Sequence, residues 1–413
     1  MEVGGCDLVE LARTHGTPLY VYDQATVRQR CSEFMAAMGG AGQVLYSAKA
    51  FASPQFLKVV AEEGLGLDVV SAGELHLALR SGFPKDRIHF LGNNKSREDL
   101  GSALAAGATI VIDGFHEFDL LQQLVPSGTR HPVMLRISPG VKPDTHDHIS
   151  TGQLDSKFGF SIESGAARQA VETALAHPRL DLVGLHSHIG SQIFALAAYE
   201  RAMEIMLDLL VQLRDELGYQ PGKLGAGGGL GIAYTTRDDP PTPRHFVDTV
   251  RHALEHGCAS RGLHVPQLVV EPGRSIAGPA GVALYTVGSI KDIPGVRRYV
   301  AVDGGMGDNI RPKLYGARYE AFLASGPDRR IDGKVTIAGK YCESTDILIS
   351  DIDMPALATG DVICLPAAGA YCLPMASNYN GMPRPEVVMV KDGAARVIRR
   401  RETLDDLLAA EVF

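Results

Sequence analysis

Lys49 closes the run Tyr46-Ser47-Ala48-Lys49 and is followed by another small residue, Ala50. An amine in such company at the end of an apolar strand is expected to be partly desolvated. That favours its neutral form and makes it a nucleophile able to form a Schiff base. Alone, a strand-end lysine serves as readily in a surface ion pair, so its neighbours in the fold matter. The run Gly225-Ala226-Gly227-Gly228-Gly229-Leu230-Gly231 lets backbone N–H groups approach an anion without interference from Cβ atoms. Its spacing fits neither G-x-G-x-x-G nor G-x-x-x-x-G-K-[ST], which disfavours a dinucleotide or a nucleoside triphosphate, and a tight turn explains the glycines equally well. Glu271, in Glu271-Pro272-Gly273-Arg274, adds a carboxylate. An amine nucleophile, a phosphate cradle and an acid together suggest pyridoxal phosphate, with Lys49 as the Schiff-base amine, Glu271 on the pyridine nitrogen and the glycines on the phosphate.

These groups need a scaffold that brings strand ends together. Between about residues 25 and 275, β-branched runs alternate with amphipathic stretches, the pattern of repeated βα units around a parallel sheet. Eight strands are expected, at 43–48, 66–71, 87–92, 108–113, 133–138, 182–189, 223–227 and 268–271. Ser53-Pro54, Ser71-x-x-Glu74 and Ser96-x-x-Asp99 read as helix starts between them. Eight units in about 250 residues give a TIM (β/α)8 barrel, whose chemistry sits at the C-terminal ends of the strands. Each of those ends carries polar residues, among them Asp68, Asp113, Arg136, His186 and His188. An open doubly wound sheet would need a dinucleotide fingerprint near the first strand, and none is there. After residue 275, strand-like runs at 282–290, 298–302, 334–338, 361–365 and 386–391 indicate a C-terminal β-sandwich or β-barrel domain. The β-prone Leu19-Tyr20-Val21-Tyr22 is expected to pair with it, giving segments 1–24, 25–275 and 276–413.

The chain has 413 residues, a net charge of −8 and 46 glycines. The charge argues against nucleic acid and against a polybasic membrane patch. No cationic start with an apolar core and no bilayer-length apolar stretch is visible, so a cytoplasmic protein is expected. Six scattered cysteines without a C-x-x-C pair point to reduced thiols, one of which could be reactive. No metal site is expected: His252-x-x-Glu255-His256 matches a zinc pattern but belongs on an outward helix face. His146-Asp147-His148 lies in a polar loop, and Arg399-Arg400-Arg401 reads as a solvated charge run.

The motifs resemble the fold-type III, pyridoxal phosphate-dependent amino-acid decarboxylases of the alanine racemase and ornithine decarboxylase-like superfamily. The resemblance runs through Y-S-A-K (46–49), L-G-N-N-K-S (91–96), the H-x-H-I-S-T-G-Q-L-D-S-K-F-G stretch (146–159), H-S-H-I-G-S-Q-I (186–193) and G-G-G-L-G-I-A-Y (227–234). It continues through E-P-G-R-S-I (271–276), N-I-R-P-K-L-Y (309–315), C-E-S-T-D (342–346) and G-A-Y-C-L-P-M-A-S-N-Y-N (369–380). Within the family the motifs match the branch that decarboxylates meso-2,6-diaminopimelate to L-lysine.

The resemblance implies that Lys49 holds pyridoxal 5'-phosphate covalently and that His188 stacks on its ring. It places Ser191, Gly228, Gly229, Gly273 and Arg274 at the phosphate with Tyr371, and puts Asp68 and Glu271 at the cofactor as well. It assigns the remote substrate carboxylate to Arg274, Arg311 and Tyr315 and the distal amino group to Glu343, and counts Tyr371 among the substrate-binding residues. It makes Cys342 the proton donor, supplied across a homodimer interface. Other basic or carboxylated amino acids, such as ornithine, arginine or carboxynorspermidine, are the alternative substrates. A racemase of this fold would carry an arginine opposite the pyridine nitrogen, and a non-catalytic cofactor-binding protein would lack the C-terminal domain. Arg318-Tyr319 stands where the family tends to have an aromatic residue followed by His, and V-D-G-G-M-G-D (302–308) is richer in glycine than usual.

Overall fold

The computed structural model describes residues 1–141 and 156–413. These form two compact units, one from Arg30–Gly231 and Asp239–Ser275, the other from Met1–Gln29, Ile232–Asp238 and Ile276–Phe413.

The first unit is the expected α/β barrel. Its parallel strands are Gly42–Ser47, Gly66–Val69, Ile88–Phe90, Thr109–Ile112, His131–Ser138, Leu180–Ser187, Lys223–Gly227 and Gln267–Val270, each paired with the next. Strand eight returns to strand one through Leu268↔Gly42, Val269↔Gln43 and Val270↔Val44, which closes the barrel. The observed bounds lie within two residues of the expected ones, because near-continuous Val, Ile and Leu runs mark strands buried on both faces. The helix starts also follow the hydroxyls. Ser53 Oγ accepts the Phe56 N–H at 3.3 Å ahead of Pro54, and Ser96 with Asp99 forms a reciprocal capping box at 3.0 Å in both directions. Ser71 accepts the Glu74 N–H at 3.2 Å, but the Glu74 carboxylate turns to the Val70 N–H instead.

The second unit is a sheet with strand order Ile347–Pro355, Ile331–Ala338, Arg297–Val302, Gly281–Ile293, Leu19–Asp23, Glu386–Lys391 and Ala394–Arg399, with Val362–Leu365 also paired to Gly281–Ile293. Leu19–Asp23 runs antiparallel to Gly281–Leu284 and parallel to Glu386–Val390. A core of Leu8, Leu11, Leu19, Val21, Leu284, Cys364, Val388 and Val390 fills one side. Two strands of this order have no counterpart in the sequence reading. Ile347–Pro355 bulges at Asp351, at φ +53°, where its register with Ile331–Ala338 shifts, and Ala394–Arg399 is a largely exposed, basic edge without an apolar face. Among the described residues, no helix is long and apolar enough to cross a membrane.

Candidate active site

Glu271 follows barrel strand eight and is buried, its Oε2 2.9 Å from the Nε2 of buried His186. Burial raises the Glu271 carboxyl, but His186, then His89 and Lys49, outweigh it and hold the carboxylate below its usual range. Asp68, on strand two, goes the other way. Burial and then repulsion from Glu271 push it up to about 7, against the pull of Lys49 and a 2.6 Å hydrogen bond from Ser47 Oγ. Two neighbouring carboxyls are thereby driven apart, one ionised and one readily protonated. Asp68 Oδ1 and His186 Nδ1 have no hydrogen-bond partner among the described residues. His188 Nδ1 accepts the Gly228 N–H at 3.3 Å, while burial and then the Lys49 charge drive that imidazole well below its ordinary range, leaving it neutral.

Lys49 lies in the short 3-10 turn Ala48–Ala50, between buried alanines. Its own side chain is exposed, which corrects the expectation of desolvation: the small neighbours pack inward and leave the amine projecting from the strand end. Its charge nevertheless reaches Asp68, His188 and Glu271, so the strand ends do bring these groups together.

The glycine run divides in two. A Cβ on Gly228 would stand 2.0 Å from the Glu271 carbonyl oxygen, and one on Gly229, at φ +101°, would stand 2.2 Å from the Gly190 carbonyl oxygen. Tyr199 Oη donates to the Gly228 carbonyl at 3.0 Å, tying the turn down. Gly225 lies inside strand seven against His186, and a Cβ on Gly231 would meet the Phe194 ring at 2.2 Å, so those two glycines serve packing. Beside the turn, Arg274 Nη2 donates to Ser191 Oγ at 2.8 Å, and Gly273 passes close to Ser47 and Ala50. Gln192, next to Ser191, is held at φ +60°.

The sheet unit carries the remaining candidates. Arg311, first residue of the helix Arg311–Tyr315, is buried and donates through Nη1 to Tyr319 Oη. Tyr315 closes that helix, half-buried. Cys342 is the one exposed cysteine of the six, and its N–H donates to Asn380 Oδ1 at 2.9 Å. Glu343 beside it is exposed. Asp346 fixes this loop by accepting the N–H groups of Met306 and Tyr341 at 2.7 and 2.9 Å. Tyr371 and Asn380 adopt φ of +63° and +55°, backbone strain of the kind that concentrates at functional positions. The extra glycines of 302–308 are a packing need: Cβ atoms on Gly304 and Gly307 would stand 2.2 Å from the rings of Tyr285 and Tyr341.

Other motifs resolve outside these sites. His252, Glu255 and His256 lie exposed on the helix Pro243–Arg261. His146-Asp147-His148 falls outside the described residues. The arginine run is more than a solvated face: Arg400 pairs with Asp406, Arg401 Nη2 donates to the Pro18 carbonyl at 2.8 Å, and burial lowers Arg399.

The family model described as pyridoxal-dependent decarboxylase, pyridoxal binding domain, matches residues 24–278. The diaminopimelate decarboxylase of Bacillus subtilis (strain 168) is 48% identical over 417 aligned positions, covering 100% of this chain and 95% of that protein. This chain belongs to the diaminopimelate decarboxylases. The diaminopimelate decarboxylase of Mycobacterium tuberculosis (strain ATCC 25618 / H37Rv) is 44% identical, with 99% of this chain and 94% of that one covered. Among solved structures, diaminopimelate decarboxylase from M. jannaschi superposes with a TM-score of 0.92 at 34% identity, covering 98% and 94% of the two chains. The Helicobacter pylori diaminopimelate decarboxylase in complex with L-lysine gives 0.89 at 31%, with 97% and 98% covered.

Pyridoxal 5'-phosphate is the cofactor of these decarboxylases. The barrel residues fit it: a turn of backbone N–H groups with no room for a Cβ, and buried polar atoms on Asp68 and His186 without partners among the described residues. Sequence reasoning gave His186 no role of its own, although it is what holds Glu271. The signal was present, since His186 and His188 are two apart in the expected strand 182–189, a spacing that puts side chains on one face of a strand.

Proposed function

We propose that this protein decarboxylates meso-2,6-diaminopimelate to L-lysine and carbon dioxide. The observation that carries the substrate reading is Arg311, a buried guanidinium with no carboxylate partner among the described residues and with Nε unpartnered. A buried charge of this kind needs an anion, and a substrate with a second carboxylate brings one. A substrate such as ornithine, with none beyond the α-carboxylate it loses, would leave it unmatched.

In this reading Lys49 holds the cofactor through its amine and recovers it at the end of each turnover. Gly228, Gly229, Ser191, Gly273 and Arg274, with Tyr371, hold the phosphate. His188, neutral, stacks on the ring, and Glu271, kept ionised by His186, holds a proton at the pyridine nitrogen. When bound, pyridoxal phosphate supplies an electron sink for the pair left on the α-carbon as carbon dioxide departs. Asp68 lies beside Glu271 as a second, readily protonated carboxyl at the cofactor. Arg311, Arg274 and Tyr315 grip the remote carboxylate, with Tyr371 also at the substrate, which fixes which end of the substrate reacts. Glu343 contacts the distal ammonium. Cys342 donates its proton to the former α-carbon, and its exposure suits a thiol that serves the partner subunit of a homodimer. A cytoplasmic setting accords with the reduced cysteines of this reading.

Purified protein with pyridoxal phosphate and meso-diaminopimelate should release carbon dioxide and L-lysine in equal amounts. Release of neither rejects the proposal. Arg311→Ala should raise KM far more for diaminopimelate than for ornithine, and equal effects would remove the carboxylate argument.

A further inference from the structure

Arg311 sits among aromatic rings. Its guanidinium carbon is 4.6 Å from the centroid of Tyr234 and 5.6 Å from that of Tyr319, and the two rings meet edge-on, 5.3 Å apart at 77°. Arginine can only donate, so the Tyr319 hydroxyl oxygen accepts from Nη1 and has its own hydrogen to give. Cys372 Sγ lies 3.5 Å from that oxygen and 3.7 Å from the Ala370 carbonyl oxygen. The hydrogens therefore run one way, from Arg311 to Tyr319, from Tyr319 to Cys372, and from Cys372 to the backbone immediately before Tyr371.

We propose that Tyr319 is a positioning residue for substrate recognition, setting the Arg311 guanidinium and the Ala370-Tyr371 backbone in one fixed arrangement. The proposal rests on the reading that Arg311 meets the remote carboxylate. The residue type suits the task. Burial raises the phenol well above its ordinary range, so it stays neutral and orients Arg311 without neutralising it. A carboxylate in its place would pair with Arg311 and compete with the substrate. A histidine at this position would also accept and donate, although across a ring of different span.

The test is steady-state kinetics of the holoenzyme on meso-diaminopimelate, with cofactor absorbance and Tm recorded for each variant. Tyr319→Phe keeps the ring and removes the hydroxyl; it should raise KM about tenfold with kcat within about threefold. Tyr319→His should recover part of that loss. Cys372→Ala, which cuts the chain one link further from Arg311, should raise KM about threefold and gives an answer even if Tyr319→Phe folds poorly. If both variants keep the parent KM while Arg311→Lys raises it, the positioning role is overturned and the carboxylate reading stands. If Arg311→Lys also leaves KM unchanged, the carboxylate reading falls with it. Loss of kcat, Tm and cofactor absorbance together, with no recovery in Tyr319→His, would mark a packing role and overturn the proposal.

Discussion

Gly228→Ala tests whether the turn after barrel strand seven holds the cofactor. The added Cβ would stand 2.0 Å from the Glu271 carbonyl oxygen and 2.9 Å from its carbon, about 1.4 Å short of ordinary contact. The φ of Gly228 lies outside the left-handed region, so the clash is the whole effect. The atom struck is backbone, and no change of rotamer relieves it. The turn must therefore retreat from strand eight, or strand eight must move and take Glu271 away from its 2.9 Å bond to His186. Overpacking of this kind costs about 1–3 kcal/mol, and a displacement of about 1 Å in a site can cost about 100-fold in rate. We expect the Kd for pyridoxal phosphate, from spectrophotometric titration of the apoprotein, to rise about 10- to 100-fold, or about 1.4–2.8 kcal/mol. Gly101→Ala is the control. It lies within the helix Arg97–Ala106 with nothing within 4 Å of its would-be Cβ, and should stabilise the fold by about 0.5–1 kcal/mol without changing cofactor affinity. Parent affinity in Gly228→Ala would refute the reasoning.

Cys342→Ser should lower kcat by about 100-fold or more with the cofactor absorbance intact. Mixing it with Lys49→Ala should raise activity above that of either variant alone through mixed dimers, and no recovery would sink the shared-site proposal. His186→Leu should cost about 3–5 kcal/mol at pH 7 in urea denaturation, because Glu271 loses the partner that most depresses its carboxyl. The folded carboxyl lies below its ordinary 4.5, so its contribution to stability is present above that value and lost as the pH falls through the lower folded one. The variant should therefore lose less stability than the parent between pH 7 and pH 4; an identical decline would contradict the pairing.

The barrel was legible because its signals are local. Apolar runs such as 133–138 and hydroxyl caps such as Ser53 and Ser96 act within a few residues, and the structure keeps them. The strand Ile347–Pro355 was not, because Asp351 turns the backbone inside an otherwise suitable run. Ala394–Arg399 failed for another reason: an exposed edge strand needs no apolar face, and its place is set by pairing with Glu386–Lys391. Lys49 shows the same limit at a single residue. Small neighbours implied an enclosed amine, but they describe what packs beneath the chain and not which way a long side chain leaves it.

By itself the sequence determined the barrel, the family and the cofactor, because each follows from periodicity or from motifs short enough to read in one line. The tertiary structure alone decided how those residues are charged and held. His89, His186 and Glu271 are far apart in sequence, yet burial and mutual charge together keep one carboxyl ionised and raise another, Asp68. Tyr234, Tyr319 and Cys372 surround Arg311 for the same reason. Electrostatic interactions depend on separation in space and on exclusion of water, and neither is set until the chain has closed on itself.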